Sequence, residues 1–208
     1  MRILELEQGT PEWFEARLGK ISGTRLDDAI GSLAKQESLL NELIAENLTG
    51  ERKESYQSVS MARGSEAEAF AVSEYEILTG EITKEVGMCI SGKYDWLVNS
   101  PDRLIMKDGK YRKAVEVKSP NTDTMVGYIR KGGIPKEYKG QVMSYFLVNE
   151  DLEELDFVMY DPRIQTEQYR MVVVHVNRKD LKLDETEEKI LSFRNYWEEE
   201  LKKLNLSL

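Results

Sequence analysis

Apolar residues recur at helical spacing in the first eighty residues and again near the end of the chain. The first helix begins at Pro11 and is followed by a turn at Gly19, and a second helix begins near Ser22 or Thr24. Residues 51–62 are predicted to be a polar connection. The other predicted helices cover 38–49, before Gly50; 65–78, before Gly80; 137–148; and 186–204.

Between Gly80 and Pro120 the pattern changes to short apolar runs that are typical of β-strands. The pair Asp108-Gly109 favours a tight hairpin turn between two of them. We therefore expect a β-meander in the centre of the chain and two more strands after the helix at 137–148. The predicted strands cover 85–90, 95–100, 103–106, 111–118, 155–160 and 168–176.

This order of elements predicts an α/β fold with a mixed central sheet flanked by helices. The 208 residues fit one domain, and no repeat or linker indicates a second one, so 1–208 is expected to be a single domain. No apolar run reaches the length of a membrane span and no secretory signal is seen, so we expect a cytoplasmic protein.

Cysteine, histidine and tryptophan residues supply no functional signal. The lone Cys89 is expected to be a buried small hydrophobe, and the lone His175, inside an apolar run, is expected to be structural. Trp13, Trp96 and Trp197 could stack on nucleic-acid bases, but core packing is the better interpretation.

The net charge of -9 argues against a partner that is a polyanion, because phosphate binding usually leaves a basic surface. The charge is nevertheless uneven along the sequence. Residues 107–139 are rich in lysine and arginine, whereas 182–200 are rich in glutamate. A protein can confine positive potential to one groove and keep an acidic exterior, so nucleic acid is not excluded.

The strongest chemical signal is Asp102 before the hairpin turn and the triplet Glu116-Val117-Lys118 after it. Residues i and i+2 of a strand share a face, so Glu116 and Lys118 point the same way, and the hairpin can bring Asp102 beside them. Two converging carboxylates suit Mg²⁺ or Mn²⁺, and Lys118 could orient a water molecule or offset negative charge on a phosphate. Most E-x-K triplets, however, lie on a solvated strand face.

In these segments the chain resembles the lambda-exonuclease-like family of phage recombination (alkaline) exonucleases, within the PD-(D/E)XK nucleases. The resemblance runs from about Thr10 to Arg163 and implies a restriction-endonuclease-like core. The matching segments, in order, are WFEARLGKISGT, GSEAEA with YEILTG, NSPD, EVKSP, GGIPKEYKGQVMSY and YDPR.

The resemblance implies roles for particular residues. Asp102, Glu116 and the carbonyl of Val117 are expected to bind the metal, and Lys118 is expected to be the catalytic lysine. Glu68 matches the family's helical acidic residue and is a further possible metal ligand, although an exposed helix carboxylate is the alternative. The remaining matches are Gln141, near the active centre, and Arg17, Thr24 and Ser100, at a 5′-terminal phosphate.

The implied activity is Mg²⁺-dependent 5′-to-3′ degradation of double-stranded DNA with 5′-phosphorylated ends, which releases mononucleotides and leaves a 3′ overhang. The implied partners are a phage-type single-strand annealing protein and further copies of the chain in a ring-shaped homotrimer, in a bacterial host cell. Two alternatives stay open: a structure- or sequence-specific endonuclease of the same fold, and a catalytically silent module that binds DNA ends.

Overall fold

The structure, a computed structural model, describes residues 1–51 and 59–206, with side chains left out for 59–66. Its helices lie close to the segments predicted from the apolar pattern, and Gly50 and Gly80 both follow helix ends with positive φ. The polar connection predicted at 51–62 lies outside the described residues over 52–58 and is wrong over 59–62, which are helical. The helices are α1 (Pro11–Ala16), α2 (Gly23–Ala29), α3 (Leu33–Thr49), α4 (Val59–Thr79), α5 (Thr122–Lys131), α6 (Lys139–Val148) and α7 (Leu183–Lys203).

In the described part of the chain, eight strands form two four-stranded mixed sheets. The first has the order β1-β3-β4-β2, with β2 parallel to β4, and the second has the order β5-β6-β7-β8, with β6 parallel to β7. The predicted α/β class is thus confirmed, with the strands shared between two sheets. The strands are β1 (Arg2–Leu4), β2 (Ile21–Ser22), β3 (Met88–Ile90), β4 (Leu97–Asn99), β5 (Arg103–Lys107), β6 (Lys110–Lys118), β7 (Glu154–Tyr160) and β8 (Met171–Asn177).

The expected central β-meander is wrong at one point, between β4 and β5. These strands do not pair with each other; β4 belongs to the first sheet and β5 to the second. The chain changes sheets over Ser100-Pro101-Asp102, where proline has no N–H to continue a ladder. The hairpin predicted at 108–109 is present, and Asp108 and Gly109 both have positive φ. The break leaves Asp102 at a junction between the two sheets.

Strand β6 is packed on both faces, which explains why five successive residues, 113–117, are buried. Ala114 belongs to the main core, with residues of α2, α3, α6 and α7, whereas Val115 and Val117 pack against α4 in a second cluster. Glu116 is 1% exposed and lies on the face of Ala114. A carboxylate that is buried in the centre of a sheet needs partners, and these lie on α6.

Three elements were not predicted: the short strands β1 and β2 and the helix α5. A two-residue strand gives no periodic signal, and α5 contains Gly127 and β-branched residues that weaken helical propensity. Among the residues assigned to the core, Cys89 and Trp197 are buried, and Trp13 and Trp96 are partly buried. His175 carries a largely exposed side chain whose Nδ1 lies 2.6 Å from Asp156.

Asp156 on β7 is the centre of a buried polar cluster next to β6. Burial by itself would raise the pKa of this carboxyl, but hydrogen bonds from Lys113 (2.8 Å), Tyr75 (2.6 Å) and His175 outweigh burial and lower the pKa. A carboxyl whose pKa is lowered by folding stabilises the folded state above its unfolded pKa, near 4, and this contribution is lost as the pH falls through the folded value.

We therefore expect Asp156→Asn to lower the free energy of unfolding at pH 7 by about 2 kcal/mol, because the buried Lys113 loses the nearer of its two acidic partners and keeps only Glu81, at 3.4 Å. Urea denaturation of the variant and of the unaltered chain should show a constant difference from pH 7 to pH 5 and a smaller one below pH 4. Asp151→Asn is the control, because Asp151 pairs with Lys110 at the surface. If the difference in unfolding free energy between Asp156→Asn and the unaltered chain stays the same below pH 4, the lowered pKa of Asp156 is wrong.

Candidate active site

A cleft of about 180 Å³ lies where the first sheet, the second sheet and the helix α6 meet. Strand β4 ends beside it, the turn at Ser100-Pro101-Asp102 forms one wall, and the end of β6 forms another. The structure brings together seven of the nine residues predicted for the site. The residues that line the cleft are Gln8, Trp13, Arg17, Gly23, Thr24, Asn99, Ser100, Asp102, Glu116, Lys118, Gln141 and Tyr145.

Asp102 is fixed by the backbone of the neighbouring strand, since its Oδ2 accepts a hydrogen bond of 2.6 Å from the Val117 N–H. Burial raises the pKa of Asp102 well above its usual value, and the nearby Glu116 raises it further. Lys118 and the Val117 N–H act in the opposite direction but do not cancel these effects. Two carboxylates therefore converge here at an electrostatic cost that a bound cation would relieve.

Glu116 is the most heavily hydrogen-bonded group of the site. Its Oε1 accepts hydrogen bonds from Gln141 Nε2 (2.6 Å) and from Lys118 Nζ, and its Oε2 accepts one from the Tyr145 hydroxyl. Gln141 and Tyr145 are four residues apart on α6 and so point from the same helix face. Burial raises the pKa of Tyr145 well above its usual value, and Glu116 adds to this, so the phenol is a proton donor.

Lys118 is an ammonium cation in this environment. Burial alone would lower its pKa, but the carboxylates of Glu116 and Asp102 outweigh burial and raise the pKa above its usual value. Its Nζ also lies 5.4 Å from the ring centre of Tyr138. At neutral pH the side chain can donate hydrogen bonds and neutralise negative charge, but it does not accept a proton.

A second group of donors lines the same cleft as Lys118. Ser100 Oγ accepts hydrogen bonds from Arg17 Nη1 (3.0 Å) and from Trp13 Nε1 (3.1 Å). The Arg17 guanidinium also stacks on the Trp13 ring, 4.1 Å from its centre, so its position is fixed on two sides. The hydroxyl of Thr24 lies 3.2 Å from that of Ser22. A guanidinium and hydroxyls suit a phosphate group.

Glu68 does not line the cleft. Its side chain is about one-third exposed, and its Oε1 lies 3.8 Å from Arg103 Nη1. Burial raises the pKa of Glu68, whereas Arg103 lowers it and Glu116 raises it further. The carboxyls of Glu68, Asp102 and Glu116 therefore influence one another. The carbonyl of Val117 is the other predicted metal ligand, and Val117 does not line the cleft either. The N–H of the same residue donates a hydrogen bond to Asp102.

Sequence reasoning missed three residues that build the site. Tyr145 could have been found from its spacing to Gln141, because i and i+4 share a helix face. Trp13, given no role, positions Arg17 and Ser100. Gln8 gave no signal at all; its Nε2 donates to the carbonyls of Val86 (2.9 Å) and Pro101 (3.0 Å) and so holds the turn before Asp102.

The donor set fits a small hard cation of the Mg²⁺ class. Mg²⁺ commonly binds through one or two carboxylates and keeps its other positions for water and phosphate oxygens, which matches Asp102 and Glu116. Among the residues that the structure describes, no group of three or more Asp, Glu, His and Cys side chains is arranged to hold a metal ion. A cation at this point would have Asp102 and Glu116 as its carboxylate ligands.

Known proteins with similar sequences or structures point to one group. Residues 12–151 match the YqaJ-like viral recombinase domain. The alkaline exonuclease LHK-Exo from Laribacter hongkongensis is 32% identical over 94% of this chain and 96% of its own, with a TM-score of 0.85, both alone and in its complex with dAMP.

A phage-related exonuclease from Haemophilus somnus 129PT shares 14% identity over 89% of this chain and 96% of its own, with a TM-score of 0.65, and shows likeness of fold alone. No protein with a curated function matches the sequence. No helix of the described residues is long and apolar enough to cross a membrane.

Proposed function

This chain belongs to the YqaJ-like viral recombinase family, and we propose that it is a Mg²⁺-dependent exonuclease that degrades the 5′-ended strand of double-stranded DNA. The resemblance and the PD-(D/E)XK fold class predicted from the sequence are confirmed. Membership in this family and the likeness to an alkaline exonuclease support a nuclease role in recombination. In the proposal, residues 1–208 act as one nuclease domain that releases 5′-mononucleotides and leaves a 3′ overhang.

The observation that carries this proposal is that two groups of side chains line one cleft. One group is Asp102, Glu116 and Lys118, and the other is the hydrogen-bonded pair Arg17 and Ser100. In the proposal, a terminal phosphate held by the second group places the adjacent phosphodiester near the first.

Each side chain then has a defined task. Mg²⁺, or Mn²⁺ in its place, would polarise a phosphoryl oxygen and acidify a water molecule when held by Asp102, Glu116 and the Val117 carbonyl, with Glu68 as a possible further ligand. Lys118 donates a hydrogen bond and offsets the negative charge that develops on the phosphate.

Gln141 and Tyr145 act through Glu116. Their hydrogen bonds fix the direction of its two carboxylate oxygens.

Digestion of linear duplex DNA tests the proposal. The substrates are a duplex with 5′-phosphate ends, the same duplex with 5′-hydroxyl ends, and a closed circle, each with Mg²⁺, with Mn²⁺ and with EDTA. We expect metal-dependent release of mononucleotides from the linear duplexes, faster from 5′-phosphate ends. Nicking of the circle would indicate an endonuclease instead, and a lack of metal-dependent cleavage of all three would leave only a DNA-end binding module.

The basic stretch at 107–139 divides into two parts in the structure. The hairpin residues are paired with acids: Lys107 with Glu81 and Glu154, Lys110 with Asp151, Arg112 with Glu153, and Lys113 with Asp156. In contrast, four cations are exposed and form no ion pair within the described residues. Two lie on α5, one lies between α5 and α6, and one begins α6: Arg130, Lys131, Lys136 and Lys139. We propose that this second group contacts the DNA backbone.

Removing two of these charges should weaken DNA binding in a salt-dependent way. We expect Lys136→Ala with Lys139→Ala to reduce the slope of log K against log salt concentration by about 2, because each phosphate contact contributes about 0.9. Titration of a duplex at several NaCl concentrations in EDTA measures this slope. The double variant Lys107→Ala with Lys110→Ala removes equal charge from the paired group and should leave the slope unchanged; equal slopes for both would refute the proposed DNA path.

We also propose that the chain forms a ring-shaped homotrimer and acts with a phage-type single-strand annealing protein inside a bacterial host cell. The support for self-association is a set of four exposed large apolar side chains on α4 and just beyond it, a feature that is common at protein–protein contacts. It comprises Phe70 (67% exposed), Ile77 (82%), Leu78 (69%) and Ile82 (87%). A ring would also confine DNA within a channel and leave the acidic exterior in solvent. Light scattering in solution tests the trimer.

A further inference from the structure

The YDPR motif at 160–163 begins at the last residue of β7, and none of its residues lines the cleft. Its aspartate, Asp161, is 1% exposed. The carboxylate accepts four hydrogen bonds: Oδ1 from the Arg163 N–H (3.0 Å) and Nε (2.7 Å), and Oδ2 from Arg163 Nη2 (2.9 Å) and the Thr122 hydroxyl (2.6 Å). Burial alone would raise the pKa of Asp161, but these hydrogen bonds outweigh burial and lower it. A buried carboxylate with four such bonds is a fixed point of the fold.

Asp161 and Arg163 together hold the segment through which the chain leaves β6, and we call this pair the exit clamp. Thr122, the first residue of α5, donates its hydroxyl hydrogen to Asp161. The carbonyl of Pro120 accepts a hydrogen bond of 3.2 Å from Arg163 Nη2. The connection between β6 and α5 is thus tied at two points to the residues that follow β7.

Lys118 is the last residue of β6, and its pairing with Met159 is the last one between β6 and β7. The end of a strand frays more readily than its centre, because it is held from one side only. The exit clamp holds the chain two and four residues farther on, at Pro120 and Thr122. The clamp therefore restrains the strand end at the residue on which the proposed reaction depends.

Three groups proposed to act on the metal and the phosphate lie in the last three residues of β6: the Glu116 carboxylate, the Val117 carbonyl and the Lys118 ammonium. Gln141 and Tyr145 hold Glu116 from α6. The ammonium of Lys118, in contrast, donates within the described residues to Glu116 alone. A bound phosphate competes for that hydrogen bond, so the direction of the lysine then depends on its own backbone.

We propose that Asp161 and Arg163 are positioning residues, which fix the end of β6 and thereby the direction of Lys118 toward the reacting phosphate. This inference rests on the proposed exonuclease function and gives the motif a task that needs no contact with the substrate. A displacement of about 1 Å in a group that acts on the reacting atoms can lower a rate by about 10²-fold. Loss of the exit clamp is therefore expected to slow the chemical step.

DNA affinity should depend much less on the exit clamp. The exposed cations proposed to contact the DNA backbone lie at 130–139, from the end of α5 to the start of α6. Two other contacts hold this region: Met125 is buried in the main core, and the Tyr128 hydroxyl donates to Glu137 (2.8 Å). Breaking the clamp should therefore lower kcat and leave KM unchanged.

Two substitutions at Thr122 separate the hydroxyl from the shape of the side chain. Valine has nearly the same shape but cannot donate to Asp161, whereas serine keeps the hydroxyl. We expect Thr122→Val to lower kcat by about fivefold and Thr122→Ser to retain it. Asp161→Asn should lower kcat by about tenfold or more, because the asparagine amide is a donor that faces the guanidinium donors of Arg163. KM for a linear duplex and Kd in EDTA should change by less than about threefold.

Asp156→Asn is the matched control, because it is the same substitution on β7 and is expected to lower stability. Its partners are not in the segment after β6, so it should leave kcat unchanged: Lys113, Tyr75 and His175. Rates are measured well below the lowest Tm, and circular dichroism reports folding. Hydrogen exchange adds a measurement that does not depend on activity: amides at 117–122 should lose protection in Asp161→Asn and keep it in Asp156→Asn.

The possible outcomes separate this inference from the exonuclease proposal. If Asp161→Asn and Thr122→Val keep the kcat of the unaltered chain, or if Thr122→Ser loses as much as Thr122→Val, the exit clamp only stabilises the fold, and the inference is wrong while the exonuclease proposal stands. If KM rises and kcat does not fall, or if exchange at 117–122 is the same in Asp161→Asn, the inference is also wrong. If the unaltered chain itself releases no nucleotides, the proposed function fails, and the inference fails with it.

Discussion

Lys118→Ala is expected to reduce hydrolysis of linear duplex DNA by about 10³-fold or more while the protein stays folded. The ammonium group lies between Glu116 and Asp102 in a largely water-excluded site, where a fixed positive charge near a reacting phosphate is worth more than in water. The carboxylates remain in place, because Glu116 keeps its hydrogen bonds from Gln141 and Tyr145. Single-turnover rates with Mg²⁺ give the loss in the chemical step, and circular dichroism reports folding.

Lys110→Ala is the matched control, eight residues earlier on the same strand. Lys110 is exposed and pairs with Asp151 at the surface, so its removal should change neither the rate nor the fold. If Lys118→Ala retains a tenth or more of the rate of the unaltered chain, Lys118 does not act on the reacting phosphate. A variant that binds DNA in EDTA as well as the unaltered chain but does not cut it would place the defect in chemistry.

Asp102→Asn is expected to abolish metal-dependent cleavage and, at the same time, to stabilise the metal-free protein. The asparagine oxygen can still accept the Val117 N–H, so the local geometry is kept while the charge is removed. Because burial and Glu116 raise the pKa of Asp102, the folded state opposes its ionisation. A carboxyl with a raised folded pKa lowers stability as the pH rises above its unfolded value, so removing the charge should raise stability at pH 7.

The expected gain is about 1 kcal/mol or more, which corresponds to a rise in Tm of about 2–4 °C. Thermal unfolding in EDTA at pH 7 measures it, and added Mg²⁺ should stabilise the unaltered chain but not the variant. Asp156→Asn, the same substitution on strand β7, should change stability in the opposite direction, because the pKa of Asp156 is lowered by its partners. A loss of stability in both variants would show that Asp102 is a structural carboxylate.

Local sequence information was enough for most elements of this protein. Three signals depend only on neighbouring residues: helix periodicity, the Asp108-Gly109 turn, and the glycines at positions 50 and 80 that end helices. The structure agrees with the predictions made from them. The alternation on β6 also predicted that Glu116 and Lys118 share a face, because side-chain direction in a strand depends only on parity. The chain was recognised as a member of its family from motifs of the same local kind.

Contacts between distant residues were decided only by the tertiary structure. Periodicity could not show that the chain changes sheets at Pro101, that Gln8 holds that turn from 93 residues away, or that Tyr145 reaches Glu116. It also could not show that Asn99 Oδ1 is buried without a hydrogen bond from any described residue, since pairing depends on what the fold brings near. The sequence by itself identified the candidate side chains and the fold class; the packing of two sheets against α6 decided which of these side chains meet, because burial and electrostatic cost are properties of the assembled fold.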